Sequence, residues 1–255
     1  MQPIRGRALR LLFHLGLLAV LMAVAVVVIQ RESPRGSYET TVSAFRVHSH
    51  RVRPPLAQPH VQQVVERTFS GIPQRGSTLG RARAPVTLQF FADPECPEAR
   101  QFAVQLLPVL VQRWVRDGRL RIEYRGERAE TIWPDVFRRQ QLAVLAAGEQ
   151  GKLWQYLEFF YHYQGPEFTR YADDWFLRSI AKEVSGLDLR RWAADREGQG
   201  LAGGVAADLR SARERHVIYT PAFLIGPTGG KLERLLHFTL TEPLAFEGAF
   251  EAALG

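Results

Sequence analysis

Residues 86–125 are the part of the sequence that most restricts the possible folds. Residues 86–93, VTLQFFAD, form a nearly continuous apolar run, which is typical of a strand covered on both faces. Residues 96–117 place large apolar side chains at helical spacing until Gly118, and residues 119–125, RLRIEYR, alternate with the period of a strand. This order predicts a β-α-β unit with parallel strands and a right-handed crossover, and therefore an α/β protein.

The rest of the chain adds a helical block and then returns to strand. Residues 134–216 have helical patterns that are interrupted at glycines. Two strand patterns follow, at 222–225 and 232–238, with a glycine-glycine turn between them. Residues 242–254 form an amphipathic pattern, and Thr241 is the expected N-cap of this last helix. The predicted order is β-α-β, helical block, β-β-α.

Near the N-terminus, residues 11–29, LLFHLGLLAVLMAVAVVVI, contain no Asp, Glu, Lys or Arg. As a helix they would span about 28 Å, close to the thickness of the hydrocarbon core of a bilayer. A secretory signal has a shorter apolar core, of about 7–15 residues, that ends at a small-x-small site. Residues 23–25, AVA, fit such a site weakly, because four more apolar residues follow them. The pattern favours an uncleaved transmembrane signal-anchor over a cleaved signal.

The basic excess of the chain lies before the predicted domain. Residues 1–10 carry three Arg and no acid, so the positive-inside rule predicts a cytoplasmic tail and an extracytoplasmic remainder. Residues 31–85 carry nine Arg and three Glu. In residues 86–255, by contrast, the 21 basic and 23 acidic residues nearly balance. We therefore expect no nucleic-acid partner. Residues 30–84 are predicted to be a linker, either solvated or in contact with anionic lipid headgroups, and the domain to occupy 85–255. One short helix is predicted in the linker from its apolar residues Val61, Val64, Val65 and Phe69.

The chain has a single cysteine, which follows the first predicted strand. A redox enzyme places a C-x-x-C pair at such a strand-to-helix turn, but in Cys96-Pro97-Glu98-Ala99 the fourth position is alanine. Pro97 suits the first turn of a helix, where its missing N–H removes no hydrogen bond. One sulfur cannot form an internal disulfide, which excludes a conventional dithiol oxidase and leaves monothiol exchange possible.

Two segments resemble the DsbA family of the thioredoxin superfamily. Residues 71–114 are similar to the family's opening, in which a lead-in precedes "APVT", an apolar strand, a C-P-x-C site and a long helix with an internal "LP". Residues 220–226, TPAFLIG, are similar to the segment whose proline is cis and lies against the active-site cysteine. The resemblance covers 71–255. It implies a thioredoxin-like fold with a helical insertion at about 134–216, and an extracytoplasmic thiol-disulfide oxidoreductase that acts on protein or peptide thiols and disulfides.

The resemblance also assigns site residues, with no metal and no cofactor. Cys96 matches the nucleophilic cysteine, and Pro221 matches the cis-proline. The resolving cysteine falls on Ala99, where the match fails, and Glu98 replaces the Tyr, Phe or His type that is usual there. The resemblance thus implies Cys96 as the catalytic residue and, as motif and substrate-binding positions, Pro97, Glu98, Ala99, Thr220 and Pro221.

The reactivity of the thiol is left open by the sequence. A helix N-terminus lowers the pKa of a cysteine, but Asp93, Glu95 and Glu98 surround Cys96 with carboxylates, which only Arg100 opposes. We expect a thiol less acidic than in the active members of the family. Two hypotheses follow: a membrane-anchored DsbA-like protein limited to single-cysteine exchange, or a redox-inactive, peptide-binding or chaperone-like thioredoxin-fold module.

Overall fold

The structure is a computed structural model and describes residues 58–255. The predicted tail (1–10), the predicted signal-anchor (11–29) and the first part of the predicted linker lie outside the described residues. Within 58–255, no helix combines the length and the apolar character that crossing a membrane requires.

Six strands form one mixed sheet. The order across it is β1-β2-β4-β3-β5-β6, in which β3 and β4 are parallel and β5 is antiparallel to β3. All seven residues of β3 are buried, which confirms the prediction of a strand covered on both faces. The strands are β1 (Gln74–Arg75), β2 (Thr78–Leu79), β3 (Val86–Ala92), β4 (Leu120–Gly126), β5 (Ala222–Pro227) and β6 (Glu233–Arg234).

The helices of the described residues complete the predicted order. Helix α2 connects the two parallel strands β3 and β4, five helices form an insertion between β4 and β5, and the last helix packs against β5 and β3. The predicted helical block is therefore confirmed. The helices are α1 (Pro59–Phe69), α2 (97–115), α3 (Pro134–Gly148), α4 (Leu153–His162), α5 (Asp174–Glu183), α6 (Leu189–Glu197), α7 (Ala202–Glu214) and α8 (Leu244–Leu254).

The two faces of β3 are covered by different helices, because successive side chains of a strand point to opposite faces. Phe90 packs against Phe102 of α2 and Phe223 of β5, with ring centroids 4.7 and 5.5 Å away. The neighbouring side chain, Phe91, packs in a separate cluster with Ala212 of α7. These contacts hold the start of α2 at the C-terminal end of β3.

Helix α2 changes its hydrogen-bond pattern along its length. It is α-helical over Pro97–Gln101 and Leu107–Leu110 and π-helical over Phe102–Leu106 and Val111–Val115. Pro108 lies between the two π segments. Proline has no N–H and its ring crowds the preceding turn, so a wider turn on its N-terminal side is the expected local response.

Part of the predicted linker folds with the domain. Strands β1 and β2 extend the sheet beyond β4, although the sequence places the domain boundary at Pro85. Helix α1 is the predicted short helix, and its apolar face is buried in the core. Arg116, directly after α2, donates to three carbonyl oxygens at the end of α1, those of Arg67, Thr68 and Ser70, at 3.0–3.2 Å. Two-residue strands are too short for a period-two pattern to reveal them.

The second strand of the last hairpin is shorter than the predicted 232–238. Strand β6 covers only Glu233–Arg234, and the Leu235 N–H still donates to the Phe223 carbonyl at 2.9 Å. His237 then has a φ of 57°, in the left-handed region, which no extended strand can continue through.

The last helix begins two residues later than the predicted start at 242. Helix α8 begins at Leu244, and Thr241 does not cap it. Instead, Thr239 Oγ1 accepts from the Glu242 N–H at 3.3 Å. Glu242 precedes Pro243, and a residue before proline disfavours helical dihedral angles, so the helix begins later than its apolar pattern suggests.

Candidate functional site

The turn between β3 and α2 carries the cysteine. Cys96 is the N-cap residue of α2, its N–H donates to the Asp93 carbonyl at 3.0 Å, and Pro97 occupies the first turn as predicted. The Ala99 N–H donates to Cys96 Sγ at 3.4 Å. The sulfur therefore lies at the free N–H groups of a helix N-terminus, the position from which a helix stabilises a thiolate.

The loop before β5 meets this turn. The Thr220-Pro221 peptide bond is cis, as the resemblance implied. Strand β5 lies beside β3, with Ala222 opposite Phe91, so the preceding residue reaches the cysteine. The Thr220 carbonyl oxygen is 3.1 Å from Cys96 Sγ and accepts its S–H. The structure thus brings together two segments that are about 125 residues apart in the sequence.

The Cys96 thiol is buried and protonated. Its side chain has no exposed surface, and burial raises the pKa of the thiol to about 12, against the smaller opposing effect of the Ala99 N–H. Glu98 Oε2, 3.4 Å from Sγ, raises this pKa further because its charge disfavours a thiolate. The sequence analysis expected a thiol of low acidity because of the surrounding carboxylates, but the main cause of the raised pKa is burial.

Of the three acids that the sequence placed around the thiol, only Glu98 contacts the sulfur. Asp93 turns away and accepts five hydrogen bonds: from the Glu95 N–H, from Thr131 Oγ1, and from the N–H groups of Ala129, Glu130 and Thr131. Their lengths are 2.6–3.0 Å. Arg100, the expected counter-charge, instead donates to the Tyr161 carbonyl at 2.8 Å. Asp93 therefore acts as the anchor that ties the loop after β4 to the turn.

Glu95 is a second buried acid beside the turn. Gln140 Nε2 donates to Glu95 Oε1 at 2.6 Å, whereas Glu95 Oε2 has no hydrogen-bond partner within the described residues. Burial, and then the charge of Asp93, raise the pKa of Glu95 to about 7. Below pH 7 this carboxyl group is therefore largely protonated.

A third loop supports the turn from the helical insertion. Gln164 follows α4, and its Nε2 donates to the carbonyl oxygens of Pro94 and Cys96 at 2.8 and 3.1 Å. Gln164, Thr131 and Gln140 could not be found from the sequence, because single polar residues in loops and helices carry no local signal of a contact so distant in sequence. Within 58–255 no group of three or more His, Cys, Asp or Glu is arranged to hold a metal ion.

Comparison with known proteins places this geometry in a family. The thioredoxin family model matches residues 74–232, which include both Cys96 and the Thr220-Pro221 loop. This chain is a DsbA-like member of the thioredoxin family. No curated protein gave a significant match.

Solved structures that resemble this DsbA-like protein agree with the assignment. BdbD from Bacillus subtilis aligns with a TM-score of 0.60 and 17% identity, covering 73% of this chain and 98% of the other. For α-DsbA1 from Wolbachia pipientis the TM-score is 0.58 and the identity is 14%. The alignment covers 72% of this chain and 92% of the other. A thioredoxin-like oxidoreductase from Silicibacter pomeroyi aligns with a TM-score of 0.52 and 25% identity. The alignment covers 74% of this chain and 98% of the other. The thioredoxin-like fold with a helical insertion is thereby confirmed.

Proposed function

We propose that this protein is a membrane-anchored, extracytoplasmic, DsbA-like protein that binds extended client polypeptides and performs no dithiol redox chemistry. The observation that carries the proposal is the state of Cys96. Its sulfur is buried, its S–H is bonded to the Thr220 carbonyl, and the chain contains no second cysteine. A buried protonated thiol is a weak nucleophile, because the thiolate is the reactive species.

The loop before β5 supports the binding part of the proposal. Ile218 is 82% exposed and Tyr219 46% exposed, next to the residue that contacts the sulfur. Among the hydrogen bonds within 58–255, none uses the backbone groups of these two residues. Free N–H and C=O groups with exposed apolar side chains beside them are what an added peptide strand requires.

The pH dependence of alkylation tests the state of the thiol. We expect the rate at which iodoacetamide modifies Cys96 to rise tenfold per pH unit throughout the range from pH 7 to 9, because the thiolate fraction is still far from saturation. The measurement is mass spectrometry on the full-length protein, with the protein unfolded in urea as the free-thiol control. A rate that levels off below about pH 8 would show an activated thiolate and would contradict the proposal.

Single-cysteine exchange is the second candidate, and one observation favours it: Cys96 Sγ lies at the N-terminus of α2 and accepts from the Ala99 N–H. In such a reaction the thiolate attacks a client disulfide, one client sulfur leaves as a thiol, and a mixed disulfide remains until an external thiol attacks it. Incubation with glutathione disulfide separates the two candidates. Exchange predicts rapid addition of one glutathione to Cys96, whereas the binding function predicts an unmodified protein that still binds a cysteine-free peptide.

Membrane anchoring and the extracytoplasmic location rest on the sequence of residues 1–29. A protease added outside intact cells is expected to remove the domain and leave the short N-terminal tail protected. Immunoblotting with tags at the two ends reads both fragments. A soluble domain with a new N-terminus near Val26 would show a cleaved signal instead.

A further inference from the structure

The surface around the thiol carries unpaired acidic side chains, and they come from three different segments. Glu98 lies in the first turn of α2, with Oε2 3.4 Å from Cys96 Sγ. Glu130 lies in the loop that is tied to Asp93 through the Glu130 N–H. Glu167 follows Gln164, whose side chain holds the Cys96 carbonyl. None of the ion pairs within residues 58–255 includes any of the three.

Glu130 is close enough to the other two carboxylates to be affected by their charges. Burial, and after it the charges of Glu167, Asp93 and Glu98, raise the pKa of Glu130. The arginines of the same segments form hydrogen bonds with carbonyl oxygens rather than with these acids. Arg100 donates to the Tyr161 carbonyl and Arg128 to the Thr131 carbonyl. The rim of the site therefore carries three carboxylates that form no ion pair within residues 58–255, in a domain whose charges nearly balance.

Exposed apolar side chains are close in sequence to two of these acids, and the residue that contacts the sulfur has a free hydroxyl. Phe168, beside Glu167, is 60% exposed, and Ile132, near Glu130 in sequence, is 49% exposed. Thr220 is almost fully buried, yet its Oγ1 has no hydrogen-bond partner within the described part of the chain. A buried hydroxyl without a partner is costly unless another group, such as a bound peptide, supplies one.

We propose that this rim selects basic client segments: an extended peptide pairs with the free backbone of Ile218 and Tyr219 and directs lysine or arginine side chains at Glu98, Glu130 and Glu167. The inference rests on the proposed peptide-binding function and adds the class of peptide. Rim charges discriminate between partners through complementary potential, and like charges on a peptide would be repelled. Because the acids are mostly solvent-accessible, each contributes modestly and the effect is screened by salt.

The test compares two short, cysteine-free, fluorescein-labelled peptides that alternate valine with either lysine or glutamate. Fluorescence anisotropy with the full-length protein is expected to give a dissociation constant about 5- to 10-fold lower for the lysine peptide in low salt, and a smaller ratio in high salt. The double variant Glu130→Gln, Glu167→Gln should lose most of this preference. The matched control is Glu197→Gln, an exposed acid at the end of α6, which should retain it.

The outcomes separate this inference from the function on which it rests. Equal affinity for the two peptides, with both weakened by Tyr219→Ser, would overturn the selection of basic segments and leave peptide binding intact. If the double variant kept the full preference, the three-acid rim would be excluded as its source. If neither peptide bound, or if Ile218→Ser and Tyr219→Ser left binding unchanged, the proposed function itself would fail and this inference with it.

Discussion

Replacing Ala99 with cysteine is expected to give a protein that forms an internal disulfide, which the native chain cannot do. Ala99 is fully buried in the first turn of α2, and its N–H already donates to Cys96 Sγ at 3.4 Å. Cβ atoms three residues apart on a helix are separated by about 5–6 Å, and a disulfide requires about 3.5–4.5 Å. A small adjustment of the first turn closes this gap, as it must in C-P-x-C sites.

The expected result for Ala99→Cys is a loss of two hydrogens by mass after mild oxidation, which the native chain with its single sulfur cannot show. Ala103→Cys is the matched control, because it adds the same sulfur at another buried alanine of α2. It lies seven residues from Cys96, about 10 Å along a helix, and should form no internal disulfide. A folded Ala99→Cys protein that stays reduced under oxidant would mean that positions 96 and 99 do not share a helical first turn.

The order of the elements and the meeting of Cys96 with the Thr220-Pro221 loop could both be predicted, for different reasons. The buried strand β3 and the helical insertion have long patterns, and such patterns survive tertiary packing. The contact between the cysteine and the loop could be predicted because two motifs resemble one family. Neither motif alone determines a contact across so many residues.

Features that depend on the three-dimensional placement of side chains could not be predicted from the sequence. Counting charges near Cys96 predicted three carboxylates facing the sulfur, but Asp93 and Glu95 turn away to Thr131 and Gln140. The hydrogen bonds that redirect them come from loops and helices much later in the chain. Strands β1 and β2 were missed because they exist only through pairing with β4 and with each other.

Asp93→Asn is expected to be the most destabilising of the conservative changes at the site. Both carboxylate oxygens accept hydrogen bonds, and all of their partners are donors. An asparagine offers only one acceptor, so its NH₂ group must face N–H or O–H groups in a buried position. Leaving buried donors unsatisfied costs about 1–3 kcal/mol each, and we expect the free energy of unfolding to fall by about 3–5 kcal/mol.

Urea unfolding followed by tryptophan fluorescence measures this loss, with Asp188→Asn as the matched control. Asp188 also accepts two backbone N–H groups, those of Arg190 and Arg191, but at an exposed helix N-cap where asparagine is equally suitable, so its midpoint should not move. Thr131→Val removes one hydrogen bond to Asp93 and should cost about 1–2 kcal/mol, which keeps the test informative if Asp93→Asn does not fold. An unchanged midpoint for both site variants would show that the Asp93 carboxylate does not hold the loop. Cys96 should also be alkylated faster in Asp93→Asn, because the same carboxylate fixes the turn that buries the sulfur.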